Sequence, residues 1–359
     1  MEYTVDFDLL QRLCQTPGVA GREERCISLM RQELASLVDE THTDRLGNVI
    51  GLKRATTAPA DGTAPRRVML AAHMDEIGFL VRHIDEHGYL RLQPVGGFDA
   101  RTLVAQRVHV HTEAGDILRG ALQPASKPIH LLDGDEANKP PRIESLFVDL
   151  GLPADQVQAS VQVGDMVTME RSTERIGEAV ISKALDDRLG LFVMLEALRT
   201  LGDHSVDIYA VATTQEEVGL RGAGTAAFAI EPHIGVALDI TLAVEPPGGK
   251  AEDSITRMGG GTAIKIMDSA SISHPGLVRH LRDLARHHDI PYQLEVLPRG
   301  GTDAGAMQQA RSGTPSITLS IPVRYVHTVN EMAHLRDIEA SFALLARYLE
   351  VAHTGALAY

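Results

Sequence analysis

At five places this chain sets a histidine or a carboxylate at the end of an apolar run or at a strand-to-helix turn, and that pattern restricts the fold more than any other. The places are His73 in MLAAHMDEIG, Asp186 in SKALDDRLG, Glu216 and Glu217 in VATTQEEVGLRGA, Asp239 in GVALDI and His327 in RYVHT. A short run that is apolar on both faces suits a strand inside a parallel sheet, covered by helices above and below. In such sheets ligands bind beyond the carboxyl ends of the strands. Five positions spread over most of the chain can therefore converge on one site.

The rest of the pattern supports the same layering. Residues 6 to 37 read as a helical opening broken at Pro17-Gly18, with Ile27, Met30, Leu34 and Leu37 at helical spacing. Arg45 to Gly51 reads as a turn entering a strand, and Thr56 to Pro65 as a surface loop between paired strands. From Gly78 to Arg175 the texture changes to short alternating runs with glycine turns, such as Asp85-Glu86-His87-Gly88 and Glu113-Ala114-Gly115-Asp116. Helix and strand then alternate: helix over 190–201, strand over 206–212, helix over 223–229, strand over 234–238, strand over 316–320 and a closing helix over 335–351. The expectation is an α/β domain of residues 1–77 and 176–359, interrupted by a small β-rich domain over 78–175.

Composition narrows the function. A net charge of −14, with no basic run interleaved with aromatics, argues against nucleic acid as a partner. No apolar stretch reaches the roughly 20 residues needed to cross a bilayer. The opening MEYTVDFDLLQRL lacks the basic and apolar regions of a secretory signal, so a cytoplasmic location is expected. Cys14 and Cys26 have no histidine neighbours and read as two buried thiols. Gly-x-Ser-x-Gly is absent, and neither cysteine sits in a nucleophile's context, which argues against a serine or cysteine hydrolase.

Most of these positions alone have a structural explanation. Asp186-Asp187 beside Arg188 could cap a helix, and Glu216-Glu217 could be an acidic first turn. Asp239 resists that explanation, because a carboxylate at the end of a buried run needs a partner. Taken together, two imidazoles and several carboxylates suit two divalent ions sharing a bridging carboxylate. Asp75, two residues after His73, lies on the same side if the strand persists, where its carboxylate can accept the second ring N–H of His73.

In order along the chain, AAHMDEIGF, SKALDDR, TTQEEVGLRGA, the run ending at Asp239, GGTDAGA and IPVRYVHT resemble the dinuclear-metal aminopeptidases that assemble into tetrahedral dodecamers. This is the glutamyl, leucyl and deblocking aminopeptidase family, some of whose members are labelled endoglucanases. The resemblance covers essentially the whole chain. It implies a mixed central sheet flanked by helices, of the zinc-exopeptidase type, with a PDZ-like insertion that forms dimers, and these combine into a dodecamer. It also implies two divalent ions per subunit (Zn, Co or Mn): one held by His73 and Asp239, the other by Glu217 and His327. Asp186 bridges them, with Asp187 the competing bridge. Glu216 is then the general base, moving a proton from the bridging water to the leaving amine, and the substrate is a peptide with a free N-terminus. The Gly300-to-Gly305 loop falls near the substrate pocket with Asp303 as its polar member, and Arg324 and Tyr325 are pocket candidates by position. A metal-free glycosidase using Glu216 and a metal-dependent deacylase are the rival readings.

Overall fold

Asp6 caps the first helix, Phe7–Gln15, by accepting the Leu9 N–H at 3.0 Å, and Pro17-Gly18 separates it from the second, Glu24–Leu34. The break also brings two segments together: a side chain at Gly18 would meet Cys26 Sγ at 2.7 Å. Cys14 and Cys26 are free and buried, and burial pushes the Cys14 thiol up to about 12. The computed structural model describes residues 5–60, 62–126, 129–131, 140–245, 247, 250–355 and 357.

In chain order the described strands are β1 (Glu40–Thr43), β2 (Val49–Lys53), β3 (Arg66–His73), β4 (Gly78–Ile84), β5 (Leu90–Val95), β6 (Gln106–His111), β7 (Ile117–Pro124), β8 (Leu146–Asp149) and β9 (Met166–Met169). After them come β10 (Glu174–Ile176), β11 (Ala179–Ser182), β12 (Val206–Thr213), β13 (Ile234–Leu242), β14 (Thr262–Met267), β15 (Tyr292–Val296), β16 (Ser316–Arg324) and β17 (Glu331–His334). Among the described residues eleven strands form one mixed sheet, ordered β1-β2-β12-β3-β13-β16-β17-β11-β10, with β14 beside β16 and β15 outside it. The four central strands β12, β3, β13 and β16 run parallel, so their carboxyl ends share one edge.

Helices cover both faces. Leu185–Thr200 and Leu335–Val351 pack into the larger core with the N-terminal helices, while Arg221–Ile230 and Asp303–Gln309 pack on the opposite face. Leu185–Thr200 is buried on every side from Leu185 to Leu198, as its nearly all-round apolar composition requires. No helix among the described residues is long and apolar enough to cross a membrane.

The β-rich segment is realised as a closed antiparallel barrel, β4-β5-β8-β7-β6-β9. It has its own apolar core, including Phe79, Val108, Val110, Leu122, Val148 and Val167. Closure pairs each strand on both sides, which suits a domain built of six short strands. The two turns read from the sequence join β4 to β5 and β6 to β7, where Gly88 and Gly115 have φ of +85° and +95°.

One expectation is corrected here. The Thr56–Pro65 stretch does not join paired strands, because β12 lies between β2 and β3, antiparallel to one and parallel to the other. A strand buried on both faces at the centre of a sheet needs neighbours on both edges, and β3 takes both of its neighbours from later in the chain.

Candidate metal centre and active site

The shared carboxyl edge positions the chemistry. His73 ends β3 and stands in register with Thr213 at the end of β12, from which the chain turns directly through Glu216 and Glu217. On the other side of β3, pairing with β13 stops at Ala71–Ala237, so Asp239 lies past the point where β3 peels away. Asp239 does not end its strand as expected: β13 continues to Leu242 because β16 still pairs with it. Asp186 enters at the start of the Leu185–Thr200 helix, where Asp186 and Asp187 keep non-helical angles and the peptide joining them is cis. His327 follows β16 at φ +62°.

These side chains meet. His73 Nε2 is 3.1 Å from Asp186 Oδ1 and 3.8 Å from Glu216 Oε2. His327 Nε2 is 3.2 Å from Asp186 Oδ2 and 3.4 Å from Glu217 Oε1. The two oxygens of Asp186 therefore face two different imidazoles. Ligand atoms of His73, Asp186 and Glu217 lie within 4.8 Å of one another, as do those of His73, Glu216 and Asp239.

Around this cluster, buried carboxylates hold backbone rather than each other. Asp187 accepts the N–H groups of His73 at 3.2 Å and Gly190 at 3.0 Å, whereas His327 is met by Asp186 and Glu217. A Cβ at Gly190 would fall 2.2 Å from Asp187 Oδ2, and glycine is required there. Asp75 accepts the N–H groups of Glu216 and Glu217 at 3.0 and 3.1 Å. The His73 Nδ1 proton is met more closely by the Asp75 carbonyl oxygen, at 2.8 Å, than by its carboxylate, at 3.6 Å.

Sequence reasoning did not find Glu331, although its carboxylate accepts the N–H of Asp186 at 3.1 Å and of His327 at 2.8 Å. The barrel contributes as well. Gly96, at φ +86° after β5, comes so close that a Cβ would sit 3.1 Å from Glu217 Oε2. Its sequence signal was the Gly96-Gly97 pair, whereas Glu331 carried none because its work is done on backbone. Ala184, Gln215, Leu220, Tyr325 and His327 all hold left-handed φ beside the cluster, a concentration of strained backbone typical of a functional site.

Two pocket candidates fall elsewhere. Asp303 is buried and accepts Thr213 Oγ1 at 2.6 Å, while Gly300, Gly301 and Thr302 of the same loop line the cavity over the cluster. Arg324 pairs with Glu245, Nε to Oε1 at 2.9 Å, and does not line the cavity over the cluster.

The donor set fits divalent metal. Burial first, and then the neighbouring acids, push Asp187, Glu216 and Asp239 well above the usual carboxylate range. Burial works against protonation of His327, yet Asp186 and Glu217 outweigh it and raise the imidazole to about 12. Asp186 moves the other way, because its bonds to His327 and His73 outweigh burial and lower it. Buried acids in excess of their bases take up protons, and a bound cation does the same work by its own charge. Mixed nitrogen and oxygen donors suit Zn, Co or Mn.

Above the cluster opens a cavity of about 610 Å³. With that geometry in place, comparison with known proteins is decisive: residues 47–344 match the model of the M42 glutamyl aminopeptidase family. The chain belongs to that family. It is thus a metallo-aminopeptidase, a peptide hydrolase. It is 38% identical over 354 residues to the lysyl aminopeptidase of Pyrococcus furiosus, covering 96% of this chain and 97% of that one. An aminopeptidase from Desulfurococcus kamchatkensis superposes with a TM-score of 0.90 at 38% identity, over 96% of this chain and 94% of the other. A TET1 peptidase of Pyrococcus horikoshii, which can assemble into a tetrahedron or a large octahedral shell, superposes with a TM-score of 0.84 at 30% identity, over 96% and 98%.

Proposed function

We propose that this M42 chain removes N-terminal residues from peptides with two divalent ions, one held by His73 and Asp239, the other by Glu217 and His327, with Asp186 between them. Asp186 carries this reading, since its two oxygens stand 3.1 and 3.2 Å from the two histidines while Asp187 is committed to backbone. Divalent ions held by these residues would supply Lewis-acid chemistry, lowering the pKa of water and polarising a carbonyl.

The chain's own residues do the rest. Glu216 is the general base: burial and neighbouring acids raise its proton affinity, so it can take a proton from the attacking water and pass it to the leaving amine. Asp75 fixes the turn through the Glu216 and Glu217 amides, so that adjacent glutamates can point to different tasks. Glu331 fixes the backbone of Asp186 and His327.

We read residues 1–77 with 176–359 as the catalytic domain and 78–175 as an inserted dimerisation domain, dimers combining into a dodecamer in the cytoplasm. The shell-forming relative supports the assembly. A stable monomer under metal-replete conditions in size-exclusion chromatography overturns it. The catalytic reading is tested on chelator-treated protein reconstituted with Zn, Co or Mn and offered a panel of aminoacyl p-nitroanilides and their N-acetylated forms. Activity is expected only with metal and only on free amines. Turnover of the free-amine substrates after complete metal removal favours metal-free amide hydrolysis, and release of acetate from the N-acetyl forms favours a deacylase.

A further inference from the structure

The wall of the cavity holds a charge that the chemistry above does not use. Outside the cluster, the one charged side chain among the described lining residues is Arg299, facing the same space as Leu220, Ile240, Leu297 and Val326. It opens the loop that turns at Gly300, φ +92°, and it is exposed. No hydrogen bond or ion pair ties it to another described residue. Arg324, by contrast, is occupied by Glu245.

An unpaired guanidinium beside apolar side chains is complementary to a short apolar stem ending in a carboxylate. The same arginine repels a substrate side chain that carries an ammonium group. Family membership does not decide between these, since the family model is described by glutamyl activity and a 38% identical relative by lysyl activity.

We propose that Arg299 is the charge selector of this cavity: it receives the side-chain carboxylate of the substrate's N-terminal residue, favouring acidic and disfavouring basic residues there. The inference rests on the aminopeptidase reading of the site. A second source of the same chemistry is the C-terminal carboxylate of a short peptide, and the test separates the two.

The measurement is kcat/KM of the metal-reconstituted full-length protein and its Arg299→Ala, Arg299→Lys and Arg299→Glu variants. The substrates are the p-nitroanilides of Glu, Leu and Lys, together with Leu-Gly and Leu-Gly-amide. The wild type is expected to prefer Glu over Lys, and Arg299→Ala to lower the Glu-to-Leu ratio roughly tenfold, the scale of one charge-assisted contact. Arg299→Lys keeps part of that ratio, Arg299→Glu raises Lys relative to Leu, and added salt narrows the wild-type preference.

Ratios that stay unchanged across the variants overturn the inference. So does a loss confined to Leu-Gly over its amide, which assigns the arginine to the peptide C-terminus. The leucine substrate keeps the two readings distinct: a wild type that cleaves it but shows no charge preference sinks only the selector, whereas one that cleaves none of the three p-nitroanilides with any metal sinks the aminopeptidase reading as well.

Discussion

Two neighbouring regions of the main sheet bury charge in opposite ways. At its carboxyl edge Asp186, Asp187, Glu216, Glu217 and Asp239 crowd around two imidazoles, and three of these acids are pushed well up. On the flank formed by β14 and β15, Lys265 and Glu295 are both fully buried and meet one to one, with Thr241 Oγ1 donating to the same carboxylate at 2.6 Å. Lys183 and Glu76 meet at 2.6 Å in a second buried group, where Arg188 also lies 4.0 Å from Glu76. Paired charges neutralise one another and serve the architecture, whereas acids in excess of their bases suit a cation.

The largest effect expected is at the unbalanced region. Glu216→Gln removes the proposed base and should lower kcat by about 10² to 10⁴, with the metal content per chain unchanged by elemental analysis. Loss of an ion together with activity would instead place Glu216 with His73 and Asp239 as a ligand.

The paired region should respond chiefly in stability, with a smaller effect at the site because the Lys265 charge also acts on Asp239. Lys265→Met leaves Glu295 buried without its partner and should cost about 3–5 kcal/mol in urea denaturation. The double variant Lys265→Met with Glu295→Leu should recover most of that loss. A double variant as unstable as the single one would mean that the pair contributes more than mutual neutralisation.

A smaller change tests the support of the centre. Glu331→Gln keeps the shape but weakens the acceptor of the Asp186 and His327 amides, and metal affinity should fall about 10–100-fold in competition with a chelator if those two residues hold metal. Unchanged affinity would confine Glu331 to folding.

The smallest effect belongs to a third kind of burial, an imidazole facing a cation. Burial, and then Arg25, push His111 down to about 4. Its folded pKa lies below the unfolded value, so its contribution is present above about 6.5 and is lost as pH falls toward 4. Thermal denaturation across that window should show the loss, and His111→Gln should remove that part of the slope.

Much of this was legible in the residues. Apolar runs marked β3, β12, β13 and β16, because strands buried on both faces cannot hide their composition. The closing helix, Leu335–Val351, matches its expected span. The stretch from Thr262 to Val296 was not read, since β14 and β15 are a flank of mixed burial whose charged members, Lys265 and Glu295, look like surface residues until they are seen to meet. Asp303 was placed by the family resemblance of its loop and Arg324 by position along the chain, and neither says which way a side chain turns.

The sequence by itself determined the layering of helices on a parallel-centred sheet, the β-rich interruption and the chemical kinds that gather at one edge. Those follow from local composition and periodicity, which each segment carries without reference to the others. Only the tertiary structure decided that Asp186 faces both histidines while Asp187 turns to backbone, that Glu331 anchors Asp186 and His327, and that Arg299 rather than Arg324 faces the cavity. Each of these depends on contacts between segments far apart in the chain, and adjacent residues of the same type take different roles only when their neighbours are in place.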